Sequence, residues 1–173
     1  SPMDQVQRVT VQERDDVLGD KRALRGRTMA RVYGATGKKR WSRPATAADL
    51  ALLKRIDAEP IPSSVPQALI PWGDLYRKGY HQGITHVHHF YTRRNLIVFA
   101  RMWDRVESYR GALREGLRFW LLSYNAAHGT IMTRVVAKSD QKDLVVTSAQ
   151  PGVLYVSGLP VEKNFFAGLR RKL

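Results

Sequence analysis

The stretch His81–Tyr124, HQGITHVHHFYTRRNLIVFARMWDRVESYRGALREGLRFWLLSY, decides how the rest of the chain reads. It holds four of the five histidines and two of the four tryptophans, and it carries two helical patterns. Thr92 is placed as a helix N-cap, because its hydroxyl can accept from a backbone N–H of the first turn. Leu96, Phe99, Met102/Trp103 and Val106 then recur at helical spacing. Arg93 and Arg94 fall in the first turn, at the positive end of the helix dipole, where a cation is disfavoured by roughly 0.3–1 kcal/mol. A phosphate would compensate them, and so would water or carboxylates from elsewhere in the chain. A second helix is expected over Gly111–Tyr124, with Leu113, Leu117, Trp120, Leu121 and Tyr124 on its apolar face. Arg110, Arg114 and Arg118 follow one another at four-residue spacing on another face, a repulsion that a polyanion or salt would relieve.

On the N-terminal side, Trp72–Tyr80 (WGDLYRKGY) mixes aromatic, basic and glycine residues. Such rings either stack on bases beside phosphate contacts or pack the loop onto the core, which is the commoner fate. Pro60, Pro62 and Pro66 forbid regular helix before it and predict a loop that wraps a surface or acts as a hinge. Upstream again, Thr46 with Asp49 resembles a capping box, and Leu50, Leu53 and Ile56 predict a helix over Ala47–Ala58. Thr28–Tyr33 alternates as a strand does, Gly34–Gly37 signals a turn, and Lys38–Arg43 is expected to return as a second strand. The cationic tip Lys38-Lys39-Arg40 is either a phosphate-contacting device or a solvated turn, and the sequence leaves both open. Val6, Val9 and Val11 mark a short strand, and Lys21–Arg27 is a basic stretch. On the C-terminal side, Asp143–Thr147 and Val153–Ser157 are expected to form a hairpin around Gln150-Pro151-Gly152. A final helix with a basic end follows Pro160.

These elements predict an α+β fold, with about four helices packed on a small, mostly antiparallel sheet. The alternative is an incomplete α/β layer. Three subregions are expected: residues 1–59 (strands, hairpin and helix), 60–80 (the proline, glycine and aromatic loop) and 81–173 (the helix pair, hairpin and last helix), joined as one compact unit.

The chain has 173 residues, 43% of them hydrophobic, which suffices for a core. Formal net charge is +14 and the pI is about 10.5. An excess of that size points to an anionic partner and says little about fold. No apolar run approaches the ~20 residues of a membrane helix, and no secretory leader is evident. With no cysteine there is no disulfide framework and no thiolate metal site. A cytoplasmic setting is expected.

For chemistry, the cluster His86, His88 and His89 has metal-ligand character, since two imidazoles on one strand face can begin a site. No carboxylate lies near it at ligand spacing, and Asp74 could approach only through folding. No metal is expected; core hydrogen bonding or phosphate contact is the favoured role of these side chains. A phosphate loop, a GxGxxG turn and a nucleophile elbow are all absent.

WGDLYRKGYHQGITHVHHFYTRRNLIVFARMWDRV and LYVSGLPVEKNFFAGLRRKL together resemble an internal region of large bacterial DNA methylases, which modify the exocyclic nitrogen of adenine or cytosine. The resemblance covers Arg31–Leu173, most strongly residues 72–108 and 153–173. In that family an aromatic-Thr-x-Arg-x-Leu segment opens a long helix, matched here by Tyr91-Thr92-Arg93-Arg94-Asn95-Leu96. A tyrosine strand followed by a Glu-x-Asn pair is matched by Tyr155, Glu162 and Asn164. The family's glycine-rich turn for S-adenosylmethionine and its Asp-Pro-Pro-aromatic loop do not occur in this sequence. The resemblance therefore implies no catalytic residue and no cofactor on this chain, with S-adenosylmethionine serving the parent enzyme, and a piece of a longer protein is expected. What it implies is a role in DNA contact, target recognition or scaffolding beside a catalytic core. The expected phosphate contacts are Lys38, Lys39, Arg40, Arg93, Arg94, Arg114 and Arg118, with Tyr76, Arg77 and Tyr80 nearer the bases. The expected partners are DNA, the rest of the parent chain, and a second copy through surfaces the parent would cover. Two other classes compete: a histidine-metal hydrolase or nuclease on His81, His86, His88 and His89, and a purely structural or protein-binding module.

Overall fold

The computed structural model describes residues 9–73, 81–136, 145–149, 154, 156 and 160–172. Among them the chain runs through six strands and four α-helices. The strands are β1 (Thr10–Arg14), β2 (Lys21–Arg25), β3 (Arg31–Thr36), β4 (Lys39–Pro44), β5 (Thr133–Val136) and β6 (Val145–Ala149). The helices are α1 (Ala47–Asp57), α2 (Arg93–Glu107), α3 (Gly111–Tyr124) and α4 (Phe165–Arg170). The fold is α+β, as the patterns predicted. The strands do not form one sheet, however. They pair as three separate antiparallel hairpins, β1–β2, β3–β4 and β5–β6. None of the helices is long and apolar enough to cross a membrane.

The helix pair forms where its periodicity placed it. Thr92 caps α2 by accepting from the Asn95 N–H at 3.4 Å. Val106 of α2, Leu121 of α3, and Phe165 and Leu169 of α4 make one buried cluster. Leu121 is fully enclosed. α3 ends in a wide π-type turn, Asn125–Gly129. Such a turn frees carbonyls that a helix would use internally. The hydroxyl of Thr130 donates to Ala126 O at 2.7 Å and that of Thr133 to Ala127 O at 3.0 Å. The buried Asn95 of α2 donates to Gly129 O at 3.2 Å. Each orphan is thus met by a short polar side chain.

The proline segment does wrap a surface: Val65 and Ile61 pack with Leu96 and Ala100 on α2. A third cluster joins Ile70, Ile84, Phe90, Ile131 and Val156. α1 lies at the periphery. Thr46 and Asp49 close the expected capping box, Leu53 and Ile56 are half-buried, and Leu50 is left 40% exposed.

One sequence expectation needs correction, and two strand pairings add to the reading. The turn between β3 and β4 is Gly37-Lys38, not Gly34–Gly37. Gly37 alone takes a left-handed φ of +58°, the pattern of a two-residue primed turn. Gly34 stays in β3, opposite Trp41. β6 pairs with β5, Thr133 facing Ala149 and Val136 facing Val145; the expected hairpin partner Val153–Ser157 lies mostly outside the described residues. Finally, Lys21–Arg25 is a strand, paired residue by residue with Thr10–Arg14.

Candidate functional site

Asp15 follows β1 and opens a tight turn. Its Oδ1 accepts from the N–H groups of Val17 and Leu18 at 3.0 and 3.2 Å. Its other oxygen, Oδ2, faces the turn Val87–Phe90, which is 3₁₀ rather than the strand that would set His86 beside His88. His88 and His89 are the side chains that converge there. His88 Nε2 lies 3.1 Å and His89 Nε2 2.5 Å from Oδ2. All three residues are at least nine-tenths buried. Arg22 of β2 adds its Nε at 3.9 Å from the same oxygen, and its guanidinium donates to Gly83 O at 2.9 Å. His86 sits beside the cluster and hydrogen-bonds Thr85 Oγ1 at 2.9 Å. His81 stands apart, 2.8 Å from Leu154 O.

The three ligand-type atoms are close enough to suggest a metal centre. The hydrogen bonds at the far side of His89 argue otherwise. Its Nδ1 accepts from the backbone N–H groups of Thr85 at 3.0 Å and His86 at 3.2 Å. A neutral imidazole has one lone-pair nitrogen. With that pair at Nδ1, the proton sits on Nε2 and is donated to Asp15. A metal-binding ring needs the reverse, a bare Nε2 and an N–H donated from Nδ1. The donor set therefore fits a hydrogen-bonded clamp between the β1–β2 hairpin and the turn before α2. It does not fit an Asp–His–His metal site.

The ionisation pattern agrees. Burial pushes the His89 ring down to about 4, against a smaller upward pull from Asp15, so the ring is neutral at pH 7. Burial alone would raise Asp15, yet the hydrogen bonds from His89, His88 and Val17 hold it well below the usual carboxylate range. The remaining histidine, His128, is also buried and lowered to about 4, by burial first and then by the charges of Lys163 and Arg171.

The expected phosphate contacts divide into two groups. At the start of α2, Arg93 pairs with Asp16 and Arg94 with Glu162. Arg93 also donates to Glu59 O at 2.6 Å. The cations at this dipole end are thus compensated by carboxylates of the chain itself. Arg118 of α3 holds Glu107 of α2 through two bonds of 2.5 and 2.7 Å and also meets Glu115, which Arg114 contacts at 3.1 Å. Two of the three arginines at four-residue spacing, Arg114 and Arg118, thus meet carboxylates of the chain as well.

Lys38, Lys39 and Arg40 behave differently. They are exposed at the tip of β3–β4, and their side chains make no ion pair or hydrogen bond among the described residues. Residues 31–44 hold five cations and no carboxylate. Of these, Arg43 is fixed by Asp49 at 2.5 and 2.9 Å, and Arg31 donates to Ser42 Oγ at 2.9 Å. Two aromatic rings, Tyr33 and Trp41, are 46% and 41% exposed on this hairpin. Tyr76, Arg77 and Tyr80 lie outside the described residues.

The sequence pointed to His88, His89 and the hairpin tip. It missed Asp15, which reaches His88 across 73 positions with no spacing signal, and it missed Trp41 as part of the surface at the hairpin tip. Compared with known proteins, the chain matches no family model, no curated protein and no solved structure.

Proposed function

We propose that the chain is a non-catalytic, DNA-contacting segment of an S-adenosylmethionine-dependent DNA amino-methyltransferase, and that the β3–β4 hairpin meets the phosphates. One observation carries the contact surface: Lys38, Lys39 and Arg40 form a contiguous, exposed cationic tip with no carboxylate against it among the described residues. A phosphate backbone gains most from such cations, because each neutralised phosphate releases condensed counterions. Arg93, Arg94, Arg114 and Arg118 already hold carboxylates and would have to give these up first. The parent activity rests on the family resemblance of Tyr91–Leu96 and of Glu162 with Asn164. The exposed rings and chains of Phe119, Leu122 and Phe166 suit a segment that lies beside further protein.

Binding to a mixed-sequence duplex across a salt series tests the surface. Replacing Lys38, Lys39 and Arg40 together with alanine should lower the log–log slope by about 2–3. Replacing Arg93 and Arg94 should leave the slope in place and lower stability instead. A wild-type protein that fails to bind near physiological salt, or a triple variant with an unchanged slope, would refute the assignment.

A further inference from the structure

Trp41 does not stand off the hairpin as an exposed tryptophan on a strand normally would. Opposite it in the register is Gly34, and the indole lies flat over that glycine. A Cβ built on Gly34 would fall 2.2 Å from Trp41 Cζ2 and 2.6 Å from Cε2. The ring can take this position only because residue 34 has no side chain. Its far end is pinned as well, since Nε1–H donates to the hydroxyl of Thr36 at 3.2 Å. Residues two apart share a strand face, so Lys39 and Trp41 project from the same side. Lys38 precedes Lys39 in the turn, while Arg40 projects from the opposite face of the ribbon.

The result is a rigid aromatic plane with one face against the backbone and the other free. Lys39 flanks it on the same face, two residues along β4, and Lys38 follows in the turn. A duplex offers no base face to such a plane, since its bases are already stacked. An unpaired strand offers both a free base and a backbone phosphate within reach of the neighbouring cations. We propose that the hairpin is a binding site for single-stranded DNA, with an unpaired base stacked on Trp41, the adjoining phosphates on Lys39 and Lys38, and Arg40 adding charge from the other face of the tip. The inference rests on the DNA-contacting reading above and adds the strand state that the surface prefers.

The test compares a single strand of about 15 thymidines, near the upper site size of such surfaces, with a duplex of equal length. Trp41→Ala should weaken single-strand binding roughly five- to a hundredfold, the range of one lost base–aromatic stack, and leave duplex binding within about twofold. Gly34→Ala keeps every charge and the indole itself but lifts the ring, and should weaken single-strand binding in the same direction. Trp41→Phe keeps a stacking plane and should retain most of the affinity. Should Gly34→Ala disturb the hairpin, the comparison of Trp41→Ala with Trp41→Phe decides alone. The proposal is overturned if Trp41→Ala leaves single-strand affinity unchanged, or if it lowers single-strand and duplex affinity equally. In either case a triple variant of Lys38, Lys39 and Arg40 that still loses duplex binding leaves the broader DNA reading intact. Failure of the wild-type protein to bind either strand form overturns both.

Discussion

Asp15→Asn is the most searching perturbation of the buried cluster. The asparagine side chain has nearly the shape of the aspartate, and its carbonyl can keep the bonds from the Val17 and Leu18 N–H groups. Its NH₂ must then stand where Oδ2 accepts from His89 at 2.5 Å and from His88 at 3.1 Å. Donor meets donor. His89 cannot escape by moving its proton, because Nδ1 is held by the N–H groups of Thr85 and His86. A hydrogen bond to a charged group contributes about 1.5–3 kcal/mol, and an orphaned buried donor costs about 1–3 kcal/mol. With the Arg22 guanidinium also losing its counter-charge, the expected loss is about 3–5 kcal/mol. That is a large part of the roughly 5–15 kcal/mol that holds a domain folded.

Equilibrium urea unfolding followed by tryptophan fluorescence reads the loss directly. Asp57→Asn, at an exposed position, serves as control and should stay within about 0.5 kcal/mol. A loss under about 1 kcal/mol for Asp15→Asn would refute the clamp, since two charged hydrogen bonds cannot vanish for so little. The same titration with a chelator separates the clamp from a metal centre. The clamp predicts no change. A chelator that brings the wild-type protein down to the Asp15→Asn midpoint would refute the tautomer argument for His89.

Further expectations follow from the same contacts. His89 and His128 are both lowered to about 4, against about 6.5 in an unfolded chain. The unfolded state thus binds more protons between these values, so stability should fall as pH drops through that window, by about 2 kcal/mol per ring at pH 5. Below pH 4 the depressed Asp15 adds to the loss. Urea midpoints measured from pH 8 to pH 4 check the sign, and a midpoint that rises on acidification contradicts it. Leu121→Ala empties a fully enclosed site between α2, α3 and α4 and should cost about 2–5 kcal/mol by the same assay. Thr92→Ala removes the cap of α2 and should cost about 1 kcal/mol, measurable as a small midpoint shift without loss of helical circular dichroism.

Periodicity placed α2 and α3 closely, because both carry wide apolar faces and α2 also has a side-chain cap at its start. It placed α1 equally well although that helix buries no residue; there the local Thr46–Asp49 box supplied the signal. The hairpins were less legible. β2 reads as a run of charges, Lys21-Arg22-Ala23-Leu24-Arg25, and only Leu24 is buried. Alternation needs a buried face, and a two-stranded ribbon with one buried side chain barely has one. The turn at Gly37-Lys38 was misplaced because Gly34 looked like part of it. Its glycine serves the indole of Trp41 across the ribbon, a cross-strand reason that no local pattern displays.

The site shows the same division between local and distant causes. His88 and His89 stood out as neighbours in a cluster, but their chemistry depends on which nitrogen carries the proton. For His89 two facts decide it, a carboxylate 74 positions away and two backbone N–H groups on the opposite side. Neither is a property of the histidines themselves. The charge of +14 is equally incomplete as a guide. Arginines at a helix start or in a row at four-residue spacing looked like phosphate contacts because their repulsion seemed uncompensated. Asp16, Glu162, Glu107 and Glu115 compensate Arg93, Arg94, Arg114 and Arg118 once the chain folds. The cations that keep their need for an anion are those that folding leaves without a carboxylate, and Lys38, Lys39 and Arg40 meet that condition beside an aromatic plane. Net charge sets how strongly the whole protein is drawn to a polyanion. The distribution of its own carboxylates decides where the polyanion can be held.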